Sequence, residues 1–228
     1  MTTSPFLIAM SGGSGSGKST LADALIERLG PDRAVIFHED GYYWPMRHYG
    51  PCETPEQRAA IIEQANYDDP ASKDTAHLVN DIRALKRGQV IEQPVYDFDR
   101  HDRDDSRTLR IAPAPVIILE GIHALSVKAL RPLIDLSIYV DTPDDLRLAR
   151  RIRRDVVERE RTVQNVLEHY LKTVRAAHYK FTHPSKFEAE LVIADEGLPA
   201  YGKVCPGEDA IDRMLAPVVS RLQLMGVL

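Results

Sequence analysis

The sequence predicts an α/β fold with a mainly parallel five-stranded sheet and helices on both faces. Five short runs are nearly continuous in apolar residues, as is typical of strands buried on both faces. Segments with helical spacing separate them, and this alternation favours a parallel sheet. A Gly/Ser-rich segment follows the first run, at the edge where such sheets bind ligands. The five predicted strands are residues 6–10, 34–37, 116–119, 136–140 and 191–194.

Helices are predicted at about residues 18–29, 71–87 and 144–154, and a closing helix is expected within 211–228. The first has a clear stop, because Gly30 and Pro31 follow it. Two segments fall outside the alternation. Residues 42–66 are polar and aromatic with three prolines, which indicates a long excursion, and residues 94–111 are predicted to form a hairpin with arms at 95–98 and 108–111.

The composition excludes several classes of protein. A length of 228 residues suits one domain over 1–228, and 43% apolar and 28% charged residues are typical of a globular protein. No apolar run approaches the ~20 residues of a membrane span, and no signal peptide is recognisable. Cys52 and Cys205 make no disulfide framework, so we expect a cytoplasmic protein. A net charge of −5 gives no basic field for nucleic acid.

The segment after the first predicted strand matches the pattern G-x-x-x-x-G-K-[ST] in full. Its glycines let backbone N–H groups turn toward phosphate oxygens, and the N-terminus of the next helix adds partial positive charge. Lys18 can reach the β- and γ-phosphates, and Ser19 can bind Mg²⁺. The pattern therefore predicts a P-loop phosphotransferase. The expected nucleotide-binding residues here are Gly12, Gly13, Ser14, Gly15, Ser16, Gly17, Lys18, Ser19 and Thr20.

Two carboxylates end predicted strands at the edge where the ligand should lie. Asp40 follows the second strand and could accept a proton from an acceptor hydroxyl or orient water on Mg²⁺. Glu120 ends the third and resembles the acidic residue of a Walker B strand. A turn-forming Asp-Gly pair and a solvated strand end are the alternative interpretations. The metal candidates are Ser19, Asp40 and Glu120.

Seven arginines lie between residues 147 and 161. On a helix, four of them share one face opposite an apolar side. Arginine without lysine on that face favours phosphate binding, because a planar guanidinium forms two parallel hydrogen bonds; a solvated charged helix is the alternative. We expect an arginine-rich lid at about 144–165. On the hairpin, Tyr96, Phe98 and His101 could contact a planar base or simply pack together.

In this order the motifs resemble the uridine kinase (uridine-cytidine kinase) family of P-loop kinases over about residues 6–194. Beyond the phosphate loop, the similar segments are D-G-Y-Y at 40–43, N-Y-D-D-P at 66–70, P-V-Y-D-F at 94–98 with His101 and Arg103, I-L-E-G-I at 118–122, V-D-T at 140–142, R-R-I-R-R-D at 150–155 and P-S-K at 184–186.

The resemblance implies a single kinase domain that phosphorylates uridine or cytidine with ATP or GTP and Mg²⁺, and a homotetramer. Asp40 resembles the base that takes the 5′-hydroxyl proton, and Asp68 resembles the carboxylate on the ribose hydroxyls. Lys18 and Arg154 complete the implied catalytic set. The other implied positions are Tyr43, Tyr67 and Phe98 around the nucleoside, Tyr96 and His101 at the pyrimidine edge, Arg151 at the substrate, and Arg154, Arg159 and Arg161 on the nucleotide.

Some positions depart from the family pattern. Asp69 stands where a His is usual, Glu160 where the lid usually has Gly, and His169 where a Gln near the ribose is common; residues 43–66 form a longer segment. These departures lie near the acceptor and the lid, so two alternatives stay open. One is a phosphoribulokinase-like or other small-alcohol kinase of the same superfamily. The other is a nucleotide-binding switch that phosphorylates no metabolite.

Overall fold

A computed structural model describes residues 4–195 and 208–228; Cys205 lies outside them. Its main sheet has five parallel strands in the order β2-β5-β1-β6-β7, and β3 and β4 form a separate antiparallel pair. The predicted fold class is confirmed. In chain order the strands are β1 (Phe6–Gly12), β2 (Ala34–His38), β3 (Ile91–Asp97), β4 (Asp102–Ile111), β5 (Val116–Glu120), β6 (Leu136–Asp141) and β7 (Leu191–Ala194).

The helices are α1 (Lys18–Leu29), α2 (Pro55–Gln64), α3 (Thr75–Lys86), α4 (Asp144–Glu158), α5 (Val163–His169), α6 (Arg175–Ala177) and α7 (Glu208–Leu224). The helix predicted at 71–87 starts later. A 3₁₀ turn at Pro70–Ser72 comes first, and Asp74 then caps α3 by accepting a hydrogen bond from the backbone of His77. Helix α4 also continues past the predicted end at residue 154.

Alternate residues of β1 face two apolar layers. Leu7 and Ala9 pack with the buried side of α3, whereas Ile8 and Met10 pack with α1 and α7. This follows from the two-residue period of a strand, and it places helices on both faces of the sheet as predicted. Within the described ranges, no helix is both long and apolar enough to cross a bilayer.

The 42–66 segment contains a helix that was not predicted. Thr54 caps α2 in a capping box, since its side chain accepts from the Gln57 backbone and the Gln57 side chain accepts in return. The Thr-x-x-Gln spacing, with Pro55 at the first helical position, was a signal for this helix. The segment is therefore ordered, and it packs against the hairpin, where Arg58 donates a hydrogen bond to the Arg100 carbonyl.

The hairpin forms, but its predicted arms were wrong. Strand β3 starts at Ile91 and β4 at Asp102, and residues 108–111 pair with 91–94 rather than with 95–98. The register shifts between Pro94 and Val95, where proline lacks the backbone N–H that would continue the ladder. Phe98 consequently lies in the turn after β3 instead of in an arm.

A helical run from α5 to residue 188 was also not predicted. It passes through π-helical turns at Tyr170–Val174 and His178–Thr182 on either side of α6, and ends in a 3₁₀ segment at His183–Glu188. Its buried apolar positions are 166, 170, 174 and 177. That spacing is helical, so the period was present in the sequence.

Glu160, between α4 and α5, has a left-handed backbone with φ 51°. This conformation costs a residue with a β-carbon about 1–2 kcal/mol, and glycine escapes that cost. The residue that departs from the family's usual glycine is therefore strained.

We expect Glu160→Gly to raise the free energy of unfolding by about 0.5–1 kcal/mol, because relief of strain exceeds the extra backbone entropy of glycine. Urea unfolding measures this. Glu160→Ala removes the charge and keeps the β-carbon, so its stability should match the wild type. Equal stabilisation by both variants would show that charge, rather than backbone strain, is responsible.

Candidate active site

The loop between β1 and α1 has the backbone of a phosphate site. Gly15 and Gly17 have φ of 81° and 84°, and Gly17 precedes α1 without a capping side chain. The N–H groups at the helix N-terminus therefore remain available for an anion. Helix α4 packs directly on this loop: a β-carbon at Gly13 or Gly15 would overlap Arg147. The glycines are thus needed for packing as well as for φ.

Glu120, the last residue of β5, contacts a hydroxyl, an ammonium and an imidazole group. Its Oε1 accepts from Ser19 Oγ at 3.1 Å and lies 3.4 Å from Lys18 Nζ, and its Oε2 lies 3.2 Å from His38 Nδ1. Burial opposes ionisation of Glu120, but attraction to Lys18 and the hydrogen bond with His38 lower its pKa. The site thus holds an ionised carboxylate beside a hydroxyl. His38 was not predicted as a site residue.

These oxygen donors suit Mg²⁺, which protein sites often bind through one or two carboxylates together with substrate phosphates. Among the described residues, no cluster of three or more His, Cys, Asp or Glu side chains could hold a metal by itself. Ser19 and Glu120 are in contact, whereas Asp40 hydrogen-bonds to Lys73. The metal role of Asp40 stays a prediction.

Asp40 lies in a short helical turn after β2 and accepts a hydrogen bond from Lys73 Nζ at 3.0 Å. Partial burial opposes its ionisation, yet Lys73 and Lys18 lower the pKa of Asp40 to about 2. The carboxylate is therefore ionised across the physiological range. Sequence reasoning missed Lys73, because the helix expected at 71–87 gave no reason to place it inside the protein.

An aromatic group lies beside Asp40. Ring centroids are 4.9 Å apart for Tyr43 and Tyr96, 6.0 Å for Tyr43 and Tyr67, and 5.3 Å for Tyr96 and Phe98. Together with residues of the loop and of α4, these rings line one cleft. The predicted residues that line it are Ser14, Lys18, Asp40, Tyr43, Tyr67, Asp68, Tyr96, Phe98, His101, Arg151, Arg154, Arg159, Arg161 and His169. Ile122, which was not predicted, lines it too.

His101 is held in one neutral form. Arg161 Nη2 donates to its Nε2 at 3.2 Å, and a guanidinium can only donate, so the ring proton lies on Nδ1. Burial and the nearby Arg161 charge lower the pKa of His101 to about 4. The predicted pyrimidine-edge residue therefore contacts a predicted lid residue directly.

Polar contacts run from the phosphate loop to Asp68. Arg151 donates to Ser14 Oγ and to His169 Nδ1, each at 3.0 Å. His169 Nε2 lies 3.7 Å from Asp68 Oδ2, which accepts from Thr173 Oγ1 at 3.1 Å. His169, one of the departures, thus joins Arg151 to the predicted ribose carboxylate. Thr173 belongs to the helical run that was not predicted.

Asp155 organises the lid arginines. Its side chain is fully buried and contacts Arg154 Nε at 2.9 Å, Arg159 Nη1 at 3.4 Å and Arg151 Nε at 3.5 Å. Arg159 also lies over the Phe98 ring, 4.4 Å from its centroid. Sequence analysis gave Asp155 no role beyond its place in the R-R-I-R-R-D segment and in the alternative of a solvated charged helix.

The arginines of the predicted cationic face of α4 differ in their exposure and in their partners. Arg147 and Arg151 are 3% and 6% exposed, so the solvated-helix interpretation is wrong for both. Arg147 packs on the phosphate loop, and Arg150 pairs with Asp195. The side opposite carries Leu148, Ile152 and Val156, which are partly exposed, and Ala149, which is exposed. Helix α4 therefore turns charge inward and leaves apolar surface outside.

Asp155→Asn should lower the free energy of unfolding by up to about 3 kcal/mol, because it leaves clustered arginines without their buried counter-charge. Partial exposure of Arg154 and Arg159 limits the loss. Urea unfolding measures the effect. Asp145→Asn, at an exposed position of the same helix, should change stability by less than about 1 kcal/mol. Equal effects of the two substitutions would contradict the organising role of Asp155.

Comparison with known proteins identifies the family of this chain. The model of the phosphoribulokinase/uridine kinase family matches residues 7–197. A uridine kinase of Alkaliphilus metalliredigens is 40% identical over 219 residues, which cover 96% of this chain and 97% of the relative. One of Limosilactobacillus reuteri is 38% identical over 193 residues, with coverage of 85% and 84%.

Solved structures share the fold at low identity. A Silicibacter kinase named for a fructose transport system has a TM-score of 0.65 at 20% identity, with 84% of this chain and 90% of that chain covered. Phosphoribulokinase of Rhodobacter spheroides has a TM-score of 0.58 at 16% identity, with coverage of 85% and 71%. Because the family model matches most of the chain and a relative at 40% identity covers almost all of it, this chain belongs to the phosphoribulokinase/uridine kinase family.

Proposed function

We propose that this protein is a nucleoside kinase that transfers the γ-phosphoryl group of ATP or GTP to the 5′-hydroxyl of uridine or cytidine, giving UMP or CMP. One observation carries the proposal: a single cleft joins Lys18 and the lid arginines to Asp40 and to a group of aromatic rings. The names of the relatives near 40% identity support the same activity.

The phosphate end of the cleft works by positioning and charge. The glycine backbone and Lys18 would hold the donor phosphates, and Arg154, Arg159 and Arg161 would stabilise negative charge on the transferring group. Ser19 and Glu120 would hold Mg²⁺, which supplies charge neutralisation between phosphates when bound. Asp155 contacts two of those arginines, Arg154 and Arg159, and both line the same cleft as Lys18.

The acceptor end works by orientation. Asp40 would accept the proton of the 5′-hydroxyl while that oxygen bonds to phosphorus and the nucleoside diphosphate leaves. Asp68 would accept hydrogen bonds from the ribose, and Tyr43, Tyr67 and Phe98 would enclose the nucleoside. His101 and Tyr96 would contact the pyrimidine edge. Because catalysis of phosphoryl transfer depends mainly on placement, a carboxylate that stays ionised is suitable for this task.

The rings distinguish this proposal from its alternatives. A phosphoribulokinase-like or other small-alcohol kinase has no need of several aromatic side chains around its acceptor, and a nucleotide-binding switch needs no acceptor pocket at all. A homo-oligomer, a tetramer by resemblance, and a cytoplasmic location remain predictions, as does the single domain over residues 1–228.

A coupled assay of nucleoside-dependent ATP consumption tests the acceptor. Uridine and cytidine should be substrates, while adenosine and ribulose 5-phosphate should be inert. Deoxycytidine should have roughly tenfold lower kcat/KM than cytidine, because Asp68 loses a partner and an unpaired polar group costs about 1–3 kcal/mol. Phosphorylation of ribulose 5-phosphate alone would instead favour the small-alcohol kinase.

Two neighbouring substitutions sharpen this test. Asp68→Ala should remove the preference for cytidine over deoxycytidine, whereas Asp69→Ala should keep it, because Asp69 caps a turn by accepting from the Ala71 backbone. Equal use of both nucleosides by the wild type would refute the role given to Asp68.

Lys18→Ala should reduce turnover to background, because it removes the positive charge at the β- and γ-phosphates. Circular dichroism should show an unchanged fold. Lys128→Ala, at an exposed position, controls for the loss of one lysine and should keep full turnover. Near-normal turnover by a folded Lys18→Ala variant would refute the phosphate-loop assignment.

A further inference from the structure

Lys73 is a buried lysine next to the cleft. It lies just before α3 and is 2% exposed. Its Nζ lies 3.1 Å from Glu39 Oε1 and 3.0 Å from Asp40 Oδ1, and 4.4 Å from the centre of the Tyr43 ring. A charged group out of water is stable only when it is paired and hydrogen-bonded. Lys73 therefore depends on these three neighbours, two of which line the cleft.

Glu39 is the fixed member of this cluster. It is fully buried, and its Oε2 accepts from the His123 backbone at 2.9 Å. A β-carbon at Gly121 would overlap the Glu39 carboxylate, so the turn after β5 fits closely around it. Since β2 and β5 are neighbouring parallel strands, Glu39 is anchored to the sheet, and Lys73 is anchored through Glu39.

Asp40 is the exposed member. Its side chain is 46% exposed, against 1% for Lys73 and 0% for Glu39. Adjacent carboxylates at positions 39 and 40 would repel each other without a cation between them. Lys73 lies between the two carboxylates, and of the two Asp40 is the one that lines the cleft.

We propose that Lys73 is a positioning residue for phosphoryl transfer: supported by Glu39, it binds Asp40 Oδ1 and so directs the other carboxylate oxygen at the acceptor hydroxyl. Contact with Tyr43 ties the same ammonium to a ring of the acceptor pocket. This inference rests on the proposed function, because it assigns Asp40 to the acceptor. Lys73 keeps its protons throughout and takes part in no bond change.

A double substitution separates positioning from stability. Lys73→Met alone leaves Glu39 buried without a counter-charge, so it should be unstable. Lys73→Met with Glu39→Gln replaces the ion pair by neutral groups of similar length and should unfold near the wild-type temperature. We expect this double variant to have at least tenfold lower kcat, with the Kd of uridine and of ATP changed less than threefold.

Two further variants complete the experiment. Glu39→Gln alone still offers a side-chain oxygen to the Lys73 ammonium, so it should keep Lys73 on Asp40 and retain several-fold more turnover than the double variant. Lys86→Met with Asp135→Asn removes another lysine–carboxylate pair, at the opposite edge of the sheet where Asp135 binds the Leu7 backbone. That control pair should leave kcat at the wild-type value.

Wild-type kcat in the stable double variant would overturn the proposal, since Lys73 would then only neutralise Glu39. An equal loss in Glu39→Gln alone would also overturn it. Failure of the proposed function appears differently in the same assay, as absence of turnover by the wild type with either uridine or cytidine, and it would remove the acceptor on which the role of Lys73 depends.

Discussion

The site depends on the parallel pairing of β5 with its two neighbours. Met10 of β1 and His38 of β2 both lie opposite Glu120, so three strands end at one edge. At that edge β1 continues into the phosphate loop, β2 into the turn that contains Asp40, and β5 into the turn that packs around Glu39. Because all three connections start from hydrogen-bonded strands, their relative positions are fixed by backbone geometry rather than by the side chains that carry the chemistry.

Helix α4 completes this arrangement through an unusual distribution of charge. Arg147 and Arg151 are directed into the protein, where they contact the phosphate loop and Asp155. Burial of guanidinium groups is costly without partners, and here each has a carboxylate, hydroxyl or carbonyl acceptor. Arg147 and Arg151 therefore hold α4 against the phosphate loop, and the same helix carries Arg154, one of the arginines that the proposal places on the nucleotide.

The hairpin and the run after α5 bring the acceptor side to the same cleft. Phe98 and His101 contact Arg159 and Arg161, and Thr173 contacts Asp68. Charged and aromatic side chains from segments far apart in the chain thus contact one another at the cleft. Residues of the predicted lid and of the predicted acceptor side are therefore in direct contact at this cleft.

The sequence by itself determined the five strands of the main sheet and the phosphate loop, because apolar period and motif spacing are local properties. Most of the residues that line the cleft were expected from the family resemblance instead. The capping residue Thr54 and the helical spacing of residues 166–177 were local signals of the same kind, for two helical segments that were not predicted. Only the tertiary structure decided the positions and partners of Lys73, Glu39 and Asp155. Each is a charged residue that would ordinarily be solvated, and its burial depends on partners brought from distant segments. The hairpin register also needed the fold, since the shift at Pro94 has no local period.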